Sequence, residues 1–174
     1  MSPAPEHTRA IDLAVRWLLG PRRCSVAFGE LQVGACPIVF DAIGWTKIGD
    51  SHAVEVKVTR DDFHADARKK IARKSPLDAP GRFRWYVTPA GLVRPDEVPD
   101  QWGLAVVRAK GDGLRVVKEP SQIRIGSVGD DRERILLVAA LRRHALRIDF
   151  DPERGRFESY DSVLEKRTGH TLPG

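Results

Sequence analysis

The chain has 174 residues, of which 41% are hydrophobic and 30% charged, and its 29 Lys and Arg outnumber its 24 Asp and Glu. This size allows one domain with a substantial core. No apolar run of about eighteen residues exists, which excludes a transmembrane helix, and the N-terminus lacks the basic and apolar regions of a signal peptide. We therefore expect a cytoplasmic protein without membrane contact, whose net charge of +5 suits a polyanionic partner.

The first half of the chain predicts one helix and three strands. Residues 1–7 are expected to form a disordered lead, and a helix begins at Glu6 or Thr8 and runs through Leu19, before a Gly-Pro pair. Alternating apolar and polar residues then predict strands at 24–33, 37–44 and 51–59, with a glycine-bounded loop at 44–50. The two cysteines, Cys24 and Cys36, could be bridged, but a reduced pair that fills core space is favoured.

The second half begins with a helix at 60–74, which has acids at its start and bases at its end, as the helix dipole favours. Strands follow at 82–89, 102–108 and 114–117, then a long helix at 130–147 and a polar tail at 151–174. The order is αβββαβ with a C-terminal helix added. We therefore expect an α/β fold with a mixed central sheet flanked by helices.

Two of the predicted strands carry charged residues among apolar ones. Asp41 shares a face of the second strand with Val39 and Ile43. Glu55 and Lys57 share a face of the third strand, opposite to its valines. A buried carboxylate costs free energy unless it meets a cation or a metal. If the two strands are neighbours, Asp41, Glu55 and Lys57 converge at one place.

Converging carboxylates favour metal chemistry. Oxygen ligands suit a hard cation such as Mg²⁺, for which Mn²⁺ would substitute. The metal would lower the pKa of a bound water, and Lys57 is placed to orient or activate that water and to steady a phosphate. Glu30, on a face with Val26 and Phe28, is either a further ligand or outer-shell carboxylate, or a strand end that reaches solvent.

Basic residues follow the third strand closely. For each one a solvated surface is the simpler interpretation, but as a cluster beside carboxylates they favour a groove that tracks DNA phosphates equally well. The candidate DNA-binding residues are Arg68, Lys69, Arg73, Lys74 and Arg84.

Asp41, followed fourteen positions later by Glu55-Val56-Lys57, resembles the Asp…Glu-x-Lys signature of the PD-(D/E)xK nuclease superfamily. That resemblance covers about 8–117 and implies a restriction-endonuclease-like αβββαβ core, within a nuclease-like domain expected at 8–150. It also implies that Asp41, Glu55 and the Val56 carbonyl bind the metal and that Lys57 is the catalytic lysine. Glu30 would correspond to the extra acid of Holliday-junction resolvases, although that acid usually lies on the first helix.

The run 55–66 is similar to the Glu-x-Lys-Val-(Ser/Thr)-Arg-x-Asp-Phe-x-x-Asp run of MmcB-like DNA-repair proteins, and 82–89 and 102–104 resemble their aromatic and Gly-Leu strands. Phe40 stands where the superfamily pattern has proline. The resemblance implies a Mg²⁺-dependent deoxyribonuclease that acts on DNA, in which cutting of both strands would favour a homodimer. A non-catalytic DNA-binding accessory protein on the same fold, or an interaction protein in which Glu55 and Lys57 are a surface pair, are the alternatives.

Overall fold

The structure, a computed structural model, describes residues 5–34, 36, 38–68, 77–146, 150–151 and 156–157. It divides into two compact units, residues 1–136 and 137–174. The expected domain bounds at 8 and 150 stay a prediction. The helices are α1 Pro5–Leu19, α2 Arg60–Arg68 and α3 Ser127–Leu146. The strands of the first unit are β1 Cys24–Gly29, β2 Ala42–Thr46, β3 Ser51–Val56, β4 Phe83–Thr88, β5 Trp102–Val107 and β6 Leu114–Lys118.

Strands β1 to β6 form one six-stranded sheet in chain order. The β3–β4 and β4–β5 pairs are parallel and the other pairs are antiparallel. A 3₁₀ helix, Pro95–Glu97, lies in the crossover between β4 and β5. In the second unit, the two-residue strands β7 Phe150–Asp151 and β8 Arg156–Phe157 pair with each other. The expected α/β class, the mixed sheet and the αβββαβ order are therefore confirmed.

The two faces of the sheet bury different clusters. On one face, α1 packs its Leu18 and Trp17 against Val54, Val56 and Trp85. On the other face, Phe63 of α2 packs with residues of β4, β5 and the crossover between them: Tyr86, Val93, Val98, Leu104 and Val106. We call this second face the α2 face. Because side chains alternate along a strand, β3 directs Val54 and Val56 to α1 and Glu55 to the α2 face.

Several element boundaries differ from the expected ones. α1 begins at Pro5, inside the lead expected to be disordered, since proline is well tolerated in the first turn of a helix. β1 ends at Gly29 because Glu30 adopts a left-handed φ of 49°. The predicted loop 44–50 is mostly a tight turn, in which Asp50 N–H donates to Thr46 Oγ1 at 3.1 Å. Trp45, expected in that loop, is a buried residue of β2.

Other features agree with the expectations or fall outside the described residues. Cys24 and Cys36 are buried and unbridged. None of the helices in the described ranges is long and apolar enough to cross a membrane. The last part of the predicted helix 60–74, from residue 69 onward, and most of the polar tail lie outside the described residues.

Candidate active site

Asp41 lies immediately before β2 and is joined to the end of β3. Since β2 and β3 are antiparallel with Ala42 opposite Val54, the next position along the pair sets Asp41 opposite Glu55. The Asp41 Oδ2 accepts a hydrogen bond of 2.7 Å from the Val56 N–H. The Asp41 carbonyl accepts one of 2.9 Å from the Glu30 N–H, which extends the β1–β2 pairing by one residue. The structure therefore brings Asp41 to Glu55, as the strand pattern predicts.

Lys57 lies between two carboxylates on the α2 face. Its Nζ is 2.8 Å from Glu55 Oε2 and 3.6 Å from Asp66 Oδ1. The side chains are largely buried, with 9% of Lys57, 14% of Glu55 and 12% of Asp66 exposed. The Lys57 backbone N–H donates to the Val87 carbonyl, which fixes this residue against β4. Glu55 and Lys57 are therefore a buried pair, and the alternative that they are a surface pair is wrong.

The cluster carries more acid than base, and the Glu55 pKa reflects this. Burial raises the pKa of Glu55 to about 7, with Asp41 and Asp66 adding to the increase and Lys57 opposing it. Burial alone would lower the pKa of Lys57, but the carboxylates of Glu55, Asp66 and Asp41 outweigh burial and raise it. Three carboxylates therefore share one ammonium in a place shielded from water, an arrangement that a further cation would stabilise.

Asp66 and Tyr86 belong to this cluster, although they were not among the residues predicted from sequence. Tyr86 Oη donates to Asp66 Oδ2 at 2.7 Å. Tyr86 is the β4 residue paired with Glu55 in the parallel register, so both point to the α2 face. Asp66 is the last residue of the run 55–66 that resembles MmcB-like proteins, and it lies three residues after the apolar Phe63 on the same helix. The resemblance and this i,i+3 spacing were the available signals for Asp66.

His7 is a third residue that sequence reasoning missed, because it fell in the expected disordered lead. It lies in the first turns of α1, with Nε2 at 3.7 Å from Asp41 Oδ1. Its Nδ1 is buried and, within the described parts of the chain, has no hydrogen-bond partner. His7 therefore borders the cluster on the side of Asp41.

Glu30 is linked to the cluster through its backbone rather than its side chain. The residue is exposed, and it lines a groove of about 590 Å³ together with Thr8, Asp12 and Arg16. The left-handed φ of Glu30 turns the chain away from the sheet. Of its two open interpretations, this position fits the strand end that reaches solvent.

The predicted DNA-binding residues have different outcomes. Arg84 is fully buried, and it donates to the Ala79 carbonyl at 2.7 Å and to the Gly81 carbonyl at 3.1 Å. Burial lowers its pKa to about 10, against the opposing effect of Glu133. The prediction of Arg84 as a DNA contact is wrong, because residues just before β4 cover its side chain.

The other four predicted DNA-binding residues lie at position 68, where the described residues end in this region, or beyond it. Arg68 is the last residue of α2. Lys69, Arg73 and Lys74 lie outside the described residues. Their assignment to DNA therefore stays a prediction.

The expected metal ligands form a small donor set. Within the described ranges, no group of three or more His, Cys, Asp or Glu side chains is arranged to hold a metal. The expected ligands are two carboxylate side chains, Asp41 and Glu55, and one backbone carbonyl, that of Val56. Mg²⁺ is usually bound through one or two carboxylates, with water and phosphate oxygens completing its octahedron. The pair thus fits Mg²⁺ and does not fit a closed all-protein site.

No family model matches the chain, and a comparison with curated proteins finds no match either. Among solved structures, the chain is similar to the SPO1766 protein of unknown function from Silicibacter pomeroyi, with a TM-score of 0.59 and 23% sequence identity. The similarity covers 88% of this chain and 96% of that one. At this level of identity the likeness concerns the fold alone, and it agrees with the mixed α/β architecture described above.

Proposed function

We propose that this protein is a metal-dependent DNA nuclease of the PD-(D/E)xK type, which hydrolyses phosphodiester bonds endonucleolytically in DNA repair, recombination or phage DNA processing. The observation that supports it most is the buried Glu55–Lys57 pair, 2.8 Å apart, set between Asp41 and Asp66. Burial of unequal charge costs stability, and such clusters occur preferentially at functional sites.

In this proposal Asp41, Glu55 and the Val56 carbonyl would hold Mg²⁺ or Mn²⁺. When bound, the metal would supply a water of lowered pKa and offset the negative charge that develops on the phosphate. Lys57 would orient the attacking water and donate to a phosphate oxygen. The attacking water loses one proton to solvent as its oxygen bonds to phosphorus, the bond to the leaving sugar oxygen breaks, and that oxygen takes up one proton from solvent.

The test is cleavage by the purified protein of duplex, branched and single-stranded DNA in Mg²⁺, Mn²⁺ or EDTA. Cleavage should require the metal and be lost in Lys57→Met and in Asp41→Asn. Lys47→Met, an exposed lysine in the β2–β3 turn, is the matched control and should cut like wild type. Cleavage that survives both site substitutions would contradict the proposal. DNA that is bound but not cut with either metal would indicate the accessory protein instead.

A further inference from the structure

We propose that Asp66, held in place by Tyr86, is a positioning residue for Lys57, and that it receives the Lys57 ammonium when Glu55 turns to a metal ion. This inference rests on the proposed function, because it requires a metal at Asp41 and Glu55. It assigns roles to two residues outside the Asp…Glu-x-Lys signature.

Asp66 is fixed more firmly than an acid on a short helix would be by itself. Its Oδ2 accepts the Tyr86 hydroxyl at 2.7 Å. The Tyr86 ring is stacked with Trp102 at 4.5 Å and meets Phe63 edge-on at 5.2 Å between centroids. Phe63 and Tyr86 are each only 4% exposed. Phe63 and Asp66 therefore bind the ring and the hydroxyl of one buried tyrosine, which sets the position of the carboxylate.

Lys57 is already within reach of this carboxylate. Its Nζ is hydrogen-bonded to Glu55 at 2.8 Å, and Asp66 Oδ1 is 3.6 Å away. Closing that distance to a hydrogen bond requires a movement of less than about 1 Å. A lysine side chain has enough rotatable bonds to make this movement while its backbone stays paired with β4.

A second acceptor is needed because Glu55 has two competing tasks. In this structure Glu55 pairs with the Lys57 ammonium, whereas with a divalent cation bound its oxygens would face that cation. An ammonium that lost Glu55 without replacement would be a buried, unpaired charge, which is strongly unfavourable. Asp66 supplies the replacement, so metal binding and the hydrogen bonding of Lys57 are coupled through it.

A double-substitution cycle on Mn²⁺ affinity, measured by calorimetry without DNA at fixed pH, tests this coupling. Asp66→Asn should weaken Mn²⁺ binding roughly 5- to 20-fold, a coupling typical of residues in one charged network. Lys57→Met should bind Mn²⁺ at least as tightly as wild type, because the competing ammonium is gone. When Lys57 is already replaced by Met, Asp66→Asn should change the Mn²⁺ affinity little further.

Two further variants separate positioning from folding. Tyr86→Phe keeps the ring contacts and removes the hydroxyl, so it should weaken Mn²⁺ binding in the same direction but less than Asp66→Asn, and it serves if Asp66→Asn does not fold. Asp62→Asn, one turn earlier on α2 and exposed, is the matched control and should leave Mn²⁺ affinity unchanged. With DNA, Asp66→Asn should lower kcat and leave KM within about twofold, as expected for an interaction needed only at the chemical step.

The outcomes separate this inference from the proposed function. If Asp66→Asn binds Mn²⁺ like wild type, or loses the same factor with and without Lys57, the positioning role is overturned while the nuclease proposal stands. If the cycle shows coupling but no DNA is cut, the nuclease proposal fails and the positioning role stands. Wild-type protein that binds no Mn²⁺ would overturn both.

Discussion

The two ends of β3 carry buried polar clusters of opposite character. At its N-terminal end, Ser51 donates to Glu133 of α3 and accepts from the Arg82 N–H at 2.9 Å, while Glu133 also accepts from the Gly81 N–H at 2.8 Å. Ser51 is fully buried and Glu133 is 7% exposed. Here one carboxylate is met by a hydroxyl and by backbone donors, so the network joins α3 and the segment before β4 to the sheet.

At the C-terminal end of β3, three carboxylates share one lysine, and burial raises the pKa of Glu55 to about 7. Both ends are buried and polar, and they differ in the ratio of acids to bases. Glu133 is one carboxylate beside the buried Arg84, whose pKa it raises, whereas three carboxylates act on Lys57. Matched networks rigidify a fold, whereas mismatched ones cost stability and need a further reason to exist. We infer that the first end is structural and that the second is the site of chemistry.

The largest expected effect is on cleavage at the C-terminal end. Lys57→Met should lower kcat by about 10²- to 10⁴-fold, the range for loss of a catalytic proton-transfer or charge-stabilising group. Steady-state cleavage of a labelled duplex in Mg²⁺ measures this effect. A decrease in kcat of less than about fivefold would contradict the assignment of catalysis to the C-terminal end of β3.

Glu133→Ala should affect stability rather than chemistry. It leaves the Ser51 hydroxyl and the Gly81 N–H buried without their acceptor, so we expect a loss of about 2–4 kcal/mol in the free energy of unfolding. Urea denaturation measures the loss, and cleavage per folded molecule should stay near wild type. A specific loss of cleavage with intact stability would place this end in the active site.

Glu55→Gln should show that the charge mismatch costs stability in metal-free protein. Because the Glu55 pKa is raised from 4.5 to about 7, the folded state holds this proton more tightly than the unfolded state. The stability that this tighter proton binding contributes is fully present below pH 4.5 and is lost as the pH rises through 7.

The Gln variant cannot ionise at this position, so it does not lose stability as the pH rises. Its free energy of unfolding should exceed that of wild type by about 1–3 kcal/mol at pH 8 and by little at pH 4. The range takes into account that Glu55→Gln also removes the carboxylate that pairs with Lys57, which reduces the gain. Denaturation in EDTA at both pH values measures the difference. A gain that is the same at both pH values would indicate a cause other than Glu55 ionisation.

Arg68, at the end of α2, and the basic residues that follow it in the sequence should contribute to DNA affinity and not to catalysis. Changing Arg68, Lys69 and Arg73 to Ala should reduce the slope of log K against log salt by about 0.9 for each phosphate that the protein no longer neutralises. Fluorescence anisotropy over a range of salt measures the slope. An unchanged slope would exclude these residues from the DNA interface.

The smallest effect is expected for Glu30. Since its side chain is exposed and only its backbone binds Asp41, Glu30→Gln should change cleavage by less than about twofold. The same steady-state assay measures it. A loss above about tenfold would mean that the side chain acts as a metal ligand or an outer-shell carboxylate after all.

The sequence by itself determined the type and order of the elements of the first unit, although not all of their boundaries, and the convergence of Asp41 with Glu55 and Lys57. Period-two alternation sets which side chains of a strand share a face, and neighbouring strands joined by a short connection pair next to each other. That local information was enough to place Glu55 and Lys57 together, 2.8 Å apart.

The tertiary structure alone decided which polar residues are buried and which partners they meet. Asp66 and Tyr86 are 20 positions apart, and Ser51 and Glu133 are 82 apart. Arg84 has the alternation of an exposed residue, yet the segment before β4 covers it. Such contacts depend on how helices and crossovers pack on the sheet, which local periodicity does not contain.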